Sequence, residues 1–499
     1  MAKIFLKRIA LLLVINVIIF SKAAAQKEEI KLNMTLDQAI EIAFEQSILS
    51  FKQKHMYLAR YWEFRSYKAE RLPLLGLSST PINYQSTISS RYINGEDVLV
   101  PSKNLSSNAT LDLSQNITAT GARVSVFSEF RRLENLESGN ISYSSIPISV
   151  GISQPIGGYN RFKWRSMLEP LKFEQAKLEY LQGLQELSGR TTNVFFNLAK
   201  AEINLGIAET NLSNADTLYR IGKGRFEIGT VTQDELLDLE LSYLNANINL
   251  SRAKVDLEQA RSTINSFLGF DENVHIECIL PSSIPEFKIQ LDRALAMAYE
   301  NNPDVLNFEQ RLIQADSEIA QAKGTDGFDI GIRGNFGYNK NTDNFDEVYS
   351  SPFERDQRLS LTLGVPIIDW GKRRGQVQMA RSNKEVTEAE VRQAKIDFEQ
   401  NVFLQVMEFN MQEEQVKISA KADTIAQLGY EVTKQRFLID KVDVIKLNSA
   451  RNSVDAAKRS YIQSLQTYWT NYFNIRRITL FDFEGGQSLI KELDDLLQN

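Results

Sequence analysis

The sequence predicts a mainly α protein with a β-barrel part, built on a duplicated unit of long coiled-coil helices. The first observation behind this is an internal repeat. Thr35-Leu36-Asp37-Gln38-Ala39-Ile40 returns as Gln290-Leu291-Asp292-Arg293-Ala294-Leu295, a shift of 255. Gln154-Pro155-Ile156 returns as Val365-Pro366-Ile367, and Arg225-Phe226 as Arg436-Phe437, both at a shift of 211. The first copy therefore holds 255 − 211 = 44 extra residues ahead of the proline. The other two observations are long helical stretches and alternating strands within each copy. A repeat of this kind implies one architecture built twice rather than two unrelated domains.

The chain opens on a secretory signal. Lys3, Lys7 and Arg8 precede an apolar core from Ile9 to Phe20, and Ala23-Ala24-Ala25 offers small residues for cleavage before Gln26. Losing four basic residues takes the net charge from −6 to about −10, a poor balance for binding nucleic acid. No later stretch is long and apolar enough for a spanning helix. A mature protein that crosses a membrane would have to do so as strands of a closed barrel.

The strands suit that. Phe328, Ile330, Ile332, Phe336 and Tyr338 alternate with Asp329, Gly331, Arg333, Asn335 and Gly337. Leu359, Leu361, Leu363 and Val365 alternate with Arg358, Ser360, Thr362 and Gly364, and a polar loop at 339–357 is expected between the two runs. In the first copy Ile148, Val150 and Ile152 alternate with serines and Gly151. Such alternation fits a tilted membrane strand with one lipid face. It fits equally a soluble sheet covered on one side.

Helices follow the strands. Residues 161–221 contain no turn signal beyond Pro170, and sixty helical residues span roughly 90 Å. Residues 373–437 read alike, and 233–268 and 444–475 return as shorter partners. Leu239, Tyr243, Ala246, Leu250, Ala253, Leu257, Ala260, Ile264 and Phe267 keep an unbroken 4-3 spacing, the mark of a coiled-coil seam. Leu237, Leu241, Leu244 and Ile248 form a second stripe, so this helix needs neighbours on two sides. Pro155 and Pro366 lie where the strand pattern gives way to the helical one; proline removes a ladder donor. Asn160 and Asp369 are placed to cap the helices that follow, with Gly371 at the second junction.

The helix–helix turns are unusually apolar. The first holds Phe226, Ile228, Gly229 and Val231, with Thr232-Gln233-Asp234-Glu235 as a capping box. The second holds Phe437, Ile439 and Val442, with Asp443 as cap. Apolar residues exposed at such turns suggest contact with another protein; the alternative is that they pack on their own helix ends.

These features together resemble the TolC family of outer-membrane efflux and secretion channels. The resemblance covers nearly all of the mature chain. It rests on the Leu-Asp-x-Ala-Ile/Leu helix openings, on Pro366-Ile367-Ile368-Asp369-Trp370-Gly371, and on Arg-Phe-x-Ile-Gly-x-Val at the first turn. It implies a homotrimer with a trimeric α-barrel tunnel in the periplasm and a shared β-barrel in outer-membrane lipid. It also implies that the turn residues dock a periplasmic adaptor, the membrane fusion protein, which links the channel to an inner-membrane pump. Asp234 and Glu235 would line the tunnel entrance, where the second copy offers Lys446 and Ser449 instead. An oligomer is needed on physical grounds too, because four to six strands cannot close a barrel.

On this reading 1–25 is the signal peptide. Residues 26–288 form the first repeat, with strands in 72–156, a helical hairpin at 160–269 and a linker. Residues 289–480 form the second, with a β-hairpin at 328–367 and a helical hairpin at 371–475, and 481–499 is a tail. The extra residues of the first copy carry their own alternation (Leu111, Leu113 and Ile117 against Asp112, Ser114 and Asn116) between expected loops at 88–107 and 133–141. Four or six strands per subunit both remain open, since Pro81 interrupts the first run.

Catalysis is not expected. His55 and His275 are isolated, and no phosphate loop, nucleophile elbow or paired-ligand spacing appears. No cofactor or metal is implied. Cys278 has no intramolecular disulfide partner and reads as a small buried hydrophobe. The competing function is an exported trimeric coiled-coil scaffold or adhesin without a pore.

Overall fold

A computed structural model describes residues 30–490 apart from 94, 272, 282, 326 and 440. The expected signal segment and the last nine residues of the expected tail lie outside the described residues. In chain order the elements are β1 (Ile30–Thr35), α1 (Leu36–Gln46), α2 (Ile48–Glu70), β2 (Leu74–Ile93), β3 (Glu96–Asn116), β4 (Arg123–Asn135) and β5 (Ile141–Ile156). Then come α3 (Arg161–Glu227), α4 (Gln233–Leu268), β6 (Val274–Ile279), α5 (Leu291–Asn301), α6 (Pro303–Thr325), β7 (Asp329–Thr342), β8 (Glu354–Gly364), α7 (Lys372–Leu438) and α8 (Val444–Thr479). Two short strands, β9 (Phe481–Asp482) and β10 (Gln487–Ser488), pair after α8.

Matching elements have matching lengths. α3 and α7 each have 67 residues, α4 and α8 each 36, and α2 and α6 each 23. The first copy has two strand hairpins where the second has one. β2 and β3, of 20 and 21 residues, are the addition.

The chain divides into two compact units, and each takes pieces from both repeats. One comprises Tyr180–Asn301 and Asn401–Asn499 with the chain up to His55; the other comprises Met56–Glu179 and Asn302–Gln400. The first unit contains the turns at 228–232 and 439–443. Its core is aromatic: Phe195, Phe196, Phe409 and Tyr468 are almost completely buried. The Tyr468 hydroxyl donates to the Pro285 carbonyl at 2.7 Å, which satisfies the polar end of a buried ring. Asn410 fixes the linker ahead of α5 by bonding both the N–H and the carbonyl of Ile289, each at 2.9 Å. Parallel pairing of β1 with β6 joins the start of the chain to the linker.

The second unit contains one antiparallel sheet in the order β2-β3-β4-β5-β7-β8. The chain therefore contributes six strands, not four, to this sheet. The loop expected at 88–107 is not a loop. β2 and β3 pair without interruption from Asn83↔Ser106 up to Ile93↔Glu96, and Gly95 turns the chain at φ +95. The sequence carried that signal in Asn94-Gly95, a favoured two-residue hairpin turn. It was obscured because the apolar alternation changes phase at Pro81, from Leu75 and Leu77 to Ile82, Tyr84 and Ile88. Pro81 does interrupt the pattern, and the ladder absorbs it as a register shift between Thr80 and Asn83. The loop between β7 and β8 is likewise shorter than 339–357. β7 continues to Thr342, and Phe345 of the loop packs edge-on against Tyr143 and Phe130, with ring centroids at 5.4 and 6.0 Å.

Candidate functional site: an apolar sheet face and two helix turns

The strand registers sort the side chains of the sheet into two faces. Leu75 lies opposite Leu113, Leu113 opposite Val126, Val126 opposite Val150 and Val150 opposite Phe336. One step along, Gly334 lies between Ile152 and Leu359. An apolar band thus crosses all six strands on one face, and much of it is uncovered. Leu359 is 83 % exposed and Leu77 73 %, and Leu111, Val150, Ile152, Phe336, Leu361 and Leu363 are exposed as well. Burying a large apolar side chain is worth roughly 1.5–3 kcal/mol. Leaving this band in water forgoes on the order of 10–20 kcal/mol, as much as the net stability of a domain.

The opposite face is polar. Ser114, Ser125, Gly151, Asn335 and Arg358 face one another across successive strands. Arg123 donates to the Ser114 hydroxyl at 2.9 Å and lies 3.8 Å from Asp112. Gly151 leaves room for these side chains, since a Cβ would stand 2.7 Å from Asn335 Oδ1 and 3.0 Å from Ser125 Oγ and both would have to move. No helix among the described residues is long and apolar enough to cross a membrane.

The strand–helix junctions are built from side-chain caps. Pro155 is still inside the ladder, opposite Gly331, and pairing ends one residue later. Asn160 Oδ1 then accepts from the N–H groups of Phe162 and Lys163, both at 3.1 Å, and so starts α3. At the second junction β8 ends before Pro366. Asp369 accepts from the amides of Gly371 at 2.9 Å and Arg373 at 3.3 Å, and these amides hold its carboxyl below the usual range. Gly371 takes φ +83, and Trp370 takes φ +54, a conformation a bulky residue rarely adopts. That turn leaves the Trp370 indole 94 % exposed beside exposed Ile367 and Ile368. Tryptophan is enriched at membrane–water interfaces.

The helix turns match their expected backbone chemistry. Gly229 takes φ +77; its N–H bonds the Phe226 carbonyl at 3.0 Å and the Thr230 N–H bonds that of Arg225 at 2.9 Å. Glu235 accepts from the Thr232 N–H at 2.9 Å, closing the start of α4. The Lys446 N–H bonds Asp443 Oδ1 at 2.7 Å and starts α8. Asp234, Glu235, Lys446 and Ser449 are all exposed. Hydrogen bonds from Thr232 and from first-turn amides keep the Asp234 carboxyl below its ordinary value.

The apolar turn residues split into two groups. Phe226, Ile228, Gly229 and Ile439 are exposed, Ile228 at 75 %. Phe437 departs from expectation. It is only 8 % exposed and lines a groove of about 990 Å³ together with half-buried Val231 and Val442. The ring packs on its own helices instead of standing out.

Sequence reasoning missed the polar ties beside that groove. Asn211 donates to Asp455 and Arg459 to Asn204, both at 2.8 Å, while Asn214 reaches the Tyr430 hydroxyl at 3.4 Å. They join α3 to α8 and α7. The only signal was polar residues recurring along helices that otherwise read as core. The α4 seam itself is buried at Leu239, Ala246, Ala253, Leu257 and Ile264. Its second stripe, Leu237, Leu241, Leu244 and Ile248, is exposed. So is a heptad row on α7: Leu404, Met411, Ile418, Ile425 and Val432. Two uncovered stripes call for two neighbouring helices.

The family model described as outer membrane efflux protein matches residues 101–270 and 294–479. No curated protein matches the chain in sequence. Solved structures do match its fold. The CmeC outer membrane channel of Campylobacter jejuni is 14 % identical with a TM-score of 0.64, over 92 % of this chain and 88 % of that one. The outer membrane protein VceC of Vibrio cholerae is 13 % identical with a TM-score of 0.60, over 91 % and 96 %. The MtrE outer membrane channel of Neisseria gonorrhoeae, in its open state, is 15 % identical with a TM-score of 0.57, over 89 % and 88 %.

Proposed function

Because the chain belongs to the outer membrane efflux protein family, we propose that it works as a homotrimeric channel-tunnel, serving a tripartite efflux pump or a type I secretion system. The sheets of three subunits form a shared barrel in outer-membrane lipid, and the helices form a periplasmic tunnel. Substrates pass from a periplasmic adaptor and an inner-membrane pump to the exterior. The protein conducts; the reading assigns it no reaction.

The observation that carries this is the amphipathic sheet. Its apolar band is exposed across all six strands while the other face is polar. In a barrel wall the first face meets lipid and the second meets the aqueous lumen. The exposed stripes on α4 and α7 then meet the helices of neighbouring subunits. Exposed Phe226, Ile228, Gly229 and Ile439 suit an adaptor contact, and Asp234, Glu235, Lys446 and Ser449 would line the tunnel entrance. A scaffold or adhesin without a pore would use the helical stripes but would have no use for an apolar sheet face.

The test is fractionation followed by reconstitution. The mature protein should sediment with outer membranes as a heat-sensitive trimer and give ion conductance in planar bilayers. Recovery as a soluble periplasmic monomer overturns the reading.

A further inference from the structure

The six-stranded sheet has two open edges. β2 and β8 have no second strand partner among the described residues. Exposed edges are normally blunted by charge, brevity or cover. β2 is 20 residues long and has no charged residue from Leu74 to Ser90; Pro81 removes a single donor. β8 is uncharged from Leu359 to Gly364. Both edges are therefore fit to pair.

Their directions also agree. Every neighbouring pair in the sheet is antiparallel, so the first and sixth strands run in opposite senses. β8 of one copy can then add to β2 of the next as another antiparallel step. The apolar face stays on one side if Leu359, Leu361 and Leu363 fall in line with Leu75 and Leu77.

Register supplies the third argument. Followed across the ladders, Arg358 of β8 is level with Asn335, Gly151, Ser125, Ser114 and Leu74 in turn. Leu74 is the first residue of β2, so Leu359–Gly364 have nothing level with them on that strand. β8 can be matched over its whole length only if the next copy is displaced along the strand direction. Closing a barrel demands such a stagger. The added length of β2 beyond Thr80 provides the partner residues.

Resting on the trimeric channel reading above, we infer that the additional β2–β3 hairpin forms the subunit seam. β8 of one copy pairs with β2 of the next, and the three six-stranded sheets close an eighteen-stranded barrel. The alternative has the hairpin folded out of the wall, with β8 meeting β4 in a twelve-stranded barrel. That would break the β3–β4 ladder, which runs unshifted from Asn104↔Asn135 to Asn116↔Arg123. Barrels of sixteen to eighteen strands enclose an open aqueous channel.

Cysteine pairs distinguish the two seams. Ser360→Cys on the polar face of β8 is combined in the full-length protein with Ser78→Cys, Thr80→Cys or Asn83→Cys on β2. In a second set it is combined with Ser125→Cys or Glu129→Cys on β4. Single-cysteine variants serve as controls, and native gels report the trimer separately. Expected are trimers whose subunits become disulfide-linked at least tenfold more in one β2 combination than in either β4 combination. Native trimers linked through β4, or through neither strand, overturn the seam and leave the channel standing. Absence of native trimers overturns both.

Discussion

Asn160, at the start of α3, donates from Nδ2 to the Thr118 carbonyl at 2.9 Å, in the turn between β3 and β4. The same side chain caps α3 through Oδ1. One residue thus starts a helix and holds a neighbouring turn. Asn160→Ala should cost about 1–2 kcal/mol from the cap alone and lower the temperature at which trimers dissociate on gels. Asn160→Asp keeps the cap and loses the donor, so it should fall between the two. Equal dissociation temperatures for all three proteins would remove the junction from the stability argument.

Two glycines of the sheet should respond oppositely. Gly151→Val must displace Asn335 and Ser125, whereas a Cβ on Gly331 meets nothing within 4 Å. We expect Gly151→Val to reduce assembled trimer in membranes several-fold and Gly331→Ala to leave it unchanged. Heat-modifiable bands on immunoblots give the comparison.

The turns offer a separation of docking from folding. Phe226→Ala with Ile439→Ala alters exposed side chains, and Gly229→Asp adds a charge at a left-handed position with open space around it. Trimer abundance should hold while adaptor crosslinking and export fall. Phe437→Ala removes a buried ring instead and should cost about 3–5 kcal/mol, visible as lower yield. Export and crosslinking at wild-type levels in both exposed-residue variants would place docking elsewhere, on the helix flanks.

Glu202 gives a pH-dependent expectation. Burial pushes its carboxyl above the ordinary 4.5, opposed by the Cys278 N–H it accepts from at 3.2 Å and by Arg261. A native value above the unfolded one means this group's contribution is full below pH 4.5 and is lost as pH rises through the native value. Glu202→Gln should therefore raise the melting temperature at pH 8 and not at pH 4, read by helical circular dichroism. A gain confined to pH 4 would contradict the sign.

The neighbouring thiol should be inert. Cys278 is half-buried rather than fully buried as expected, but its sulfur lies on the Phe195 carbonyl at 3.6 Å, and desolvation there, reinforced by Glu202, pushes the thiol far above its usual range. Thiolate is the reactive form, so maleimide labelling of the native protein at pH 8 should be slow and should become fast on unfolding. Rapid native labelling would mean that β6 opens.

The sequence by itself determined the periodic and local features. The α4 limits 233–268 were readable because the seam spacing, Thr232 and Glu235 all act within a few residues, and Gly229 and Asp443 announced their turns the same way. The alternation of β7 and β8 was equally plain. Tertiary structure decided what depends on partners distant in the chain. It paired β2 with β3 through a stretch whose apolar alternation changes phase at Pro81, from Leu75 and Leu77 to Ile82, Tyr84 and Ile88, a break that only the ladder's register shift accommodates. It buried Phe437 and exposed Ile439, residues two apart that any hydropathy pattern treats alike. It set Asn204 against Arg459 across 255 residues of chain. Helix caps and seams are written in neighbouring residues because their hydrogen bonds close locally. Strand partners and burial are chosen by the whole fold, since they depend on which surfaces meet.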